Sequence, residues 1–207
     1  MHTQLLINVG VLPCLSSLLT HYKYGISKDA CWAISNITAG NQDQIDSVIN
    51  ANIIPPLILL MTNAKYDIQI EAAWAIANIC TGGAPHQIQY LVGQGCIKPL
   101  CDLLEINDST VLVMTLDALQ GILALGSQLA EENMSSLTNQ FAEYVEHAGG
   151  MHKIEQLAYY EGEIAQKASQ LLTQYFDHGP EEAHMACTPP PTSSMEFASG
   201  HSTNWQF

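Results

Sequence analysis

Apolar residues recur at intervals of three and four along most of this chain, which is the periodicity of amphipathic α-helices. These residues form a unit of three segments, which repeats about every 42 residues. Each unit consists of a short stretch, then a helix with proline in its first turn, and then a longer helix. The turn before the proline contains Gly10, Asn52 and Gly95 in successive groups. Proline suits a first helical turn because its missing N–H has no partner there. The period predicts an all-α protein of stacked helical repeats.

Two of the longer helices are near-copies of each other. Residues 28–37 read KDACWAISNI and residues 70–79 read IEAAWAIANI. On a helical wheel, an acid, a Trp and an Asn share one stripe, while Ala and Ile form another about a quarter turn away. We expect the aliphatic stripe to face the core and the other to lie on a surface shared by both repeats. This second stripe, the Trp–Asn stripe, comprises Asp29, Trp32 and Asn36 in one copy and Glu71, Trp74 and Asn78 in the other.

The Trp and Asn are lost toward the C-terminal end. A third long helix is predicted over 109–125, with Asp117 and Gly121 at the Trp and Asn positions. An atypical fourth unit is predicted, because the end repeat of a stack needs a polar outer face. It comprises an acidic helix over 128–147 and a last helix pair at 151–159 and 163–176.

Further expectations concern the helix ends and the chain ends. We expect left-handed C-caps at Gly40, Gly82 and Gly83. The pattern of Met1–Val9 predicts that this segment is the remnant of a first helix, with an exposed apolar end face. Such an end suggests a fragment or a truncated gene product. The repeats are expected to occupy 1–176, with the first one incomplete. Residues 177–207 are rich in Pro, Ser and acidic residues and have no apolar periodicity, so we expect a disordered tail there.

Charge and composition narrow the classes of partner. Asp and Glu number 20 against 6 Lys and Arg, a formal charge of −14, which argues against nucleic acid and favours cationic partners. No stretch reaches about 18 uninterrupted apolar residues, so we expect no membrane span. The chain lacks catalytic motifs and metal-ligand spacings, so we expect no enzyme, metal site or cofactor. We expect buried free thiols, as in a reducing compartment, at Cys14, Cys31, Cys80, Cys96, Cys101 and Cys187.

The Trp–Asn stripe has the chemistry of a peptide-binding surface. Trp ring faces attract cations, at about 0.5–2 kcal/mol per contact, and an Asn amide can pair with both polar groups of an extended peptide backbone. The acids favour basic side chains. The alternative is that both Trp residues belong to the core, where large aromatic residues are mostly found. An Asn on the same face in both copies favours a displayed surface, and hence an extended basic peptide as ligand.

These segments resemble importin alpha, the armadillo adaptor for nuclear localisation signals. The resemblance rests on residues 28–41, 46–53, 71–78 and 90–104, and it covers about Leu5 to Phe176. It implies a right-handed superhelical armadillo solenoid of about four repeats, corresponding to the last four of the family. It also implies that the family's minor signal-binding groove is formed here by Asp29, Trp32, Ser35, Asn36, Glu71, Trp74 and Asn78.

The resemblance implies partners as well. It suggests a partial nuclear import adaptor, active in cytoplasm and nucleus, that binds basic localisation signals. The segment from Asp117 to Phe176 resembles the docking surface of the recycling exportin. The family's major groove and its basic importin-beta-binding segment are absent from this chain, so we expect no importin beta binding.

Two other interaction proteins remain open as alternatives. One is a partial or dominant-negative armadillo scaffold that binds only the recycling exportin or other proteins. The other is a catenin-like scaffold for acidic or junctional partners. That class usually lines its groove with Lys and Arg, which are almost missing from the groove helices here, so it is less favoured.

Overall fold

Each period of the sequence folds as three helices. The computed structural model describes residues 2–132 and 138–176, which belong to one unit, Met1–Asp177. The predicted tail, 177–207, lies outside the described residues. In the described part of the chain the helices are α1 (His2–Asn8), α2 (Val11–Leu19), α3 (Tyr24–Thr38), α4 (Gln42–Asn50), α5 (Ile54–Asn63), α6 (Tyr66–Gly82), α7 (Pro85–Gly93), α8 (Ile97–Leu103), α9 (Ser109–Glu132), α10 (Gln140–His147), α11 (Gly150–Leu157) and α12 (Glu163–Tyr175).

The third helix of each unit forms the spine of the stack. Helices α3, α6, α9 and α12 pack against one another in that order, and each also packs against the second helix of its own unit. Their apolar residues merge into one core that runs through all four units. Because each unit packs only on its immediate neighbours, stability is the sum of contacts within each unit and contacts between adjacent units.

A left-handed residue separates the first and second helices of every unit. Gly10, Asn52, Gly95 and Gly149 have φ angles of 83°, 55°, 84° and 75°. Glycine adopts this conformation without steric cost, and Asn is among the few other residues that tolerate it. The turn residues that the sequence pattern singled out in three units, and a fourth at Gly149, therefore set the angle between these two helices.

The left-handed C-caps expected at Gly40, Gly82 and Gly83 are wrong. Among the described residues, positive φ angles occur elsewhere, and Gly83 has a φ of −76°. Close approach explains two of these glycines instead. A Cβ on Gly40 would lie 2.9 Å from the carbonyl oxygen of Ile37, and one on Gly83 would lie 2.5 Å from the carbonyl oxygen of Ile79. A side chain at either position would collide with the chain as it leaves the long helix.

The acidic helix expected over 128–147 is also wrong. Helix α9 continues seven residues beyond the predicted end, to Glu132, and a separate helix, α10, begins at Gln140. Asn139 caps α10, because its Oδ1 accepts hydrogen bonds from the backbone N–H groups of the next turn. Its Nδ2 donates to the carbonyl oxygen of Leu123 at 2.8 Å, which joins α10 to α9. The cap at Asn139 therefore starts a separate helix where the sequence pattern predicts one continuous helix.

Helix α9 has the length and composition of a membrane span. It has 24 residues, and its most apolar window of 18 residues has a mean hydropathy of 1.5. However, 61% of that window is buried between the neighbouring helices of the stack. The core helix of a solenoid meets the same criteria, because it is covered on several sides.

Polar side chains fix the register between units. Nε2 of Gln87 on α7 donates to Oδ1 of Asp46 at 2.7 Å and to the carbonyl oxygen of Gln42 at 2.8 Å, both in the preceding unit. Gln44 on α4 similarly donates to Oε1 of Gln4 at 3.2 Å. The hydrogen bond from Gln87 lowers the pKa of the Asp46 carboxyl, because it favours the ionised form. These amides link successive first helices.

Four of the five cysteines in the described part of the chain are buried. Cys31, Cys80, Cys96 and Cys101 are buried as free thiols, whereas Cys14 is exposed, so the expectation of a buried thiol is wrong there. Cys14 lies on the outer side of α2, which packs against α3 through other residues.

The exposed apolar end face expected for α1 is present: Leu5, Leu6 and Val9 are 62%, 50% and 72% exposed.

Candidate functional site

The first copy of the Trp–Asn stripe lies on the exposed face of α3. Asp29, Trp32 and Asn36 are exposed, and 59% of Trp32 is accessible to solvent. Ala30 and Ile34, on the aliphatic stripe, are buried in the core. The two stripes of the helical wheel are thus separated as the sequence predicts. An indole displayed in this way can be contacted by a ligand without rearrangement of the core.

The second copy lies on α6, which packs directly beside α3. Glu71, Trp74 and Asn78 are half-buried, and Trp74 packs partly against the core. Ala72 and Ile76 on the other stripe are fully buried. The structure therefore brings the two copies together on neighbouring helices, with one indole more open than the other.

The two Asn amides are held by hydrogen bonds to backbone carbonyls. Nδ2 of Asn78 donates to the carbonyl oxygen of Ser35 at 2.9 Å and so bridges α6 and α3. Nδ2 of Asn36 donates to the carbonyl oxygen of Trp32 within its own helix at 2.8 Å. Each amide keeps a second N–H and its Oδ1, and in the described part of the chain neither Oδ1 accepts a hydrogen bond. Both amides are thus oriented while retaining a donor and an acceptor for a ligand.

Ser35 lies beneath the stripe. It is 8% exposed, and its hydroxyl donates to the carbonyl oxygen of Trp32 at 2.8 Å. Its own carbonyl oxygen accepts the hydrogen bond from Asn78. Ser35 therefore joins the two copies through its backbone, and the direct ligand contact implied by the resemblance stays a prediction.

The stripe carries uncompensated negative charge. Within residues 2–132 and 138–176, neither Asp29 nor Glu71 forms an ion pair. The nearby ammonium of Lys28 lies 3.9 Å from Oδ2 of Asp67 instead. Burial, together with the charge of Glu71, raises the pKa of the Cys31 thiol to about 12. A thiol behind the stripe thus stays protonated, and the local field favours a cationic ligand.

A cavity of about 520 Å³ opens beside the second copy of the stripe. We call it the α9 cavity, because α9 forms one wall and α6 and the start of α12 form the others. It has both apolar and acidic surface, and its volume lies in the usual range for ligand pockets. Its lining consists of Trp74, Ala77, Asn78, Thr81, Ser109, Thr110, Val113, Met114, Asp117, Glu161, Glu163 and Ile164.

The residues that replace Trp and Asn in the third unit pack against neighbouring helices. Asp117 forms an ion pair with Lys167 of α12. A Cβ on Gly121 would lie 2.1 Å from the carbonyl oxygen of Cys80, so α9 approaches the end of α6 too closely for any side chain there. Close helix packing thus gives a physical reason for the loss of the Asn.

Glu161 and Glu163 are absent from the sequence-based site. They precede or begin α12 in the atypical fourth unit, where the repeat no longer guides alignment. Their only sequence feature is an acidic character at a helix start, which is common because it complements the helix dipole. The structure alone brings them to the same cavity as Trp74.

Comparison with known proteins agrees with this architecture. The family model of the Armadillo/beta-catenin-like repeat matches residues 1–39, 41–81 and 84–124, and that of the Atypical Arm repeat matches residues 139–190. The chain belongs to the armadillo-repeat family. The predicted all-α armadillo fold of about four repeats is confirmed.

Relatives confirm the resemblance to importin alpha. Importin subunit alpha-4 of Arabidopsis thaliana is 48% identical over 166 residues, which are 80% of this chain and 31% of that protein. Importin subunit alpha-3 of the same plant is 41% identical over 211 residues, 100% of this chain and 39% of the relative. Importin subunit alpha of Saccharomyces cerevisiae is 46% identical over 59% of this chain and 22% of its own length. The chain thus spans between 22% and 39% of the length of these relatives.

Solved structures share the fold. An engineered protein superposes with a TM-score of 0.67 at 26% identity, over 82% of this chain and 64% of its own. A designed armadillo repeat protein in complex with the peptide (KR)4 superposes with a TM-score of 0.58 at 29% identity, over 83% of this chain and 84% of its own.

Proposed function

We propose that this armadillo chain is part of a nuclear import adaptor and binds basic localisation-signal peptides across α3 and α6. The observation that carries the proposal is the pair of adjacent Trp–Asn stripes with unpaired carboxylates. The names of the relatives, all importin alpha subunits, support the adaptor role. The designed armadillo protein whose ligand is (KR)4 supports a basic peptide as the class of ligand. A protein of this kind works in both cytoplasm and nucleus.

Each part of the stripe has a separate task in this proposal. The indoles of Trp32 and Trp74 pack on the alkyl stems of Lys or Arg, and their faces attract the cationic ends. The amides of Asn36 and Asn78 pair with the peptide backbone, which fixes the peptide's position without reading its sequence. The carboxylate of Glu71, like that of Asp29, selects basic side chains. No bond is made or broken, so the function is recognition.

The two indoles provide the first test. A fluorescein-labelled Lys-Arg-rich peptide should bind the unaltered chain, and its anisotropy titration should shift to weaker affinity as salt rises. The double variant Trp32→Ala with Trp74→Ala removes two cation–π contacts of about 0.5–2 kcal/mol each. At 1.4 kcal/mol per tenfold change, binding should weaken by about fivefold to several hundredfold.

A matched control separates this effect from the general loss of aromatic residues. Tyr22 and Tyr159 are exposed aromatic residues outside the stripe. The variant Tyr22→Ala with Tyr159→Ala should bind as the unaltered chain does. Thermal unfolding must show that the Trp variant is folded, because Trp74 packs partly on the core. Unchanged affinity in a folded Trp double variant contradicts the proposal.

A pull-down of the recycling exportin, made alongside the peptide titration, tests the alternative function. If the chain bound the recycling exportin but no basic peptide, the scaffold that engages only the exportin would be favoured. The Trp–Asn stripe would then lack a ligand, and its duplication would need a structural explanation.

A further inference from the structure

We propose that the α9 cavity is an additional subsite, which takes a lysine or arginine side chain from a peptide lying across Trp74. The inference rests on the proposed function, because the Trp–Asn stripe brings the peptide to this position. It goes beyond that function by extending recognition from the two duplicated helices to α9 and α12, where the repeated Trp and Asn are absent.

Continuity with the stripe supports the subsite. Trp74 and Asn78 belong both to the stripe and to the lining of the cavity. A peptide whose backbone pairs with Asn78 therefore has a neighbouring residue at the mouth of the cavity. An extended chain directs successive side chains to opposite faces, so one of the next residues points inward.

The charges at the cavity favour a cation. The charged residues among its lining are Asp117, Glu161 and Glu163. Lys167 forms an ion pair with Asp117 and lies 3.7 Å from Oε1 of Glu163, so a single ammonium is shared by two of these three carboxylates. Glu161 is exposed and has no ion pair in the described part of the chain. The net negative charge attracts Lys or Arg and repels an acidic side chain.

The apolar walls suit the stem of the same side chains. Val113 and Met114 of α9, Ile164 of α12 and the indole of Trp74 line the cavity. Lys and Arg carry long alkyl stems that pack on apolar surface while the charged end reaches polar groups. The combination of an apolar wall and an acidic rim thus matches one basic side chain, whereas an aliphatic residue would use only the wall.

The test uses the full chain and two sets of labelled peptides. The minimal peptide is alanine-rich with one central Lys-Arg pair. The extended peptides add a single Arg at two, three or four residues from the pair, on either side. An Arg that reaches the cavity should strengthen binding about threefold to tenfold, on one side of the pair only. Peptides with the Arg on the other side have the same net charge and serve as controls.

Charge-matched variants locate the effect. Glu161→Gln with Glu163→Gln should abolish the gain from the added Arg and change the affinity of the minimal peptide less than twofold. Glu143 and Glu146 are exposed acids of α10 that do not line the cavity. The variant Glu143→Gln with Glu146→Gln changes the net charge equally and should keep the gain.

Each contrary result has a distinct meaning. Equal gains on both sides of the pair, or a gain that survives in the Glu161 and Glu163 variant, would overturn the subsite. So would an equal gain when norleucine replaces the added Arg, because the cavity would then be an apolar pocket. If the minimal peptide itself does not bind, the proposed function fails. If it binds and no added Arg helps, only the subsite fails.

Discussion

The close contact at Gly121 allows a stability prediction of definite sign. In Gly121→Ala, the new Cβ would meet the carbonyl oxygen of Cys80 at 2.1 Å. Helix α9 must then move away from α6 by roughly 1 Å or more, because the obstacle is backbone. Such overpacking costs about 1–3 kcal/mol, and the upper end applies to a backbone contact. Alanine recovers about 1 kcal/mol through its higher helix propensity, which leaves a net loss of about 2 kcal/mol.

Circular dichroism during heating measures this loss. For a domain of this size, 2 kcal/mol corresponds to a fall in Tm of about 4–8 °C. Gly25 provides the matched control, because it is also helical and its Cβ would meet nothing within 4 Å. Gly25→Ala should be neutral or stabilising by up to about 1 kcal/mol. If Gly121→Ala were as stable as Gly25→Ala, the explanation for the missing Asn of the third unit would be refuted.

Three further predictions concern the cysteines and the contact between Gln87 and Asp46. At pH 8, iodoacetamide should label the exposed Cys14 rapidly and the buried Cys31 only on unfolding, because burial raises the pKa of Cys31 to about 12. Peptide mass spectrometry measures both labelling rates, and equal rates would contradict this prediction. Gln87→Leu should lower the free energy of unfolding by about 2–4 kcal/mol in urea titrations, because it removes two hydrogen bonds between units; a loss below 0.5 kcal/mol would contradict it. Asp46→Asn should destabilise at neutral pH, and the difference should shrink as the pH falls below about 4, because the lowered pKa of Asp46 favours the folded state only while the carboxyl is ionised. A difference that stays constant down to pH 2 would contradict this last prediction.

The sequence was sufficient for the repeat, the order of its helices and the exposed stripe. These features depend on periodicity, which survives without any knowledge of distant contacts. The turn residues Gly10, Asn52 and Gly95 illustrate this, because the same alignment that revealed the period also located a turn in each copy, although only the structure shows that these turns are left-handed.

Features that depend on one contact between units could not be predicted in this way. The close approach that requires glycine at Gly83 and Gly121 leaves no periodic pattern. The side chain of Asn139 begins α10 through two hydrogen bonds and joins it to α9 through two more, which a helical wheel cannot represent. The cavity beside Trp74 likewise combines α6 and α9 with a turn about 87 residues further along the chain at Glu161.

The hydrogen bond from Asn78 to the carbonyl oxygen of Ser35 has a mechanical consequence. It spans the junction between α3 and α6, and the same two helices carry Trp32 and Trp74. Bending of the stack at this junction therefore stretches the bond and changes the distance between the indoles. The amide that is proposed to hold a peptide backbone also limits how far the repeats can open. A peptide bound to both helices would thus add a second link across the same junction.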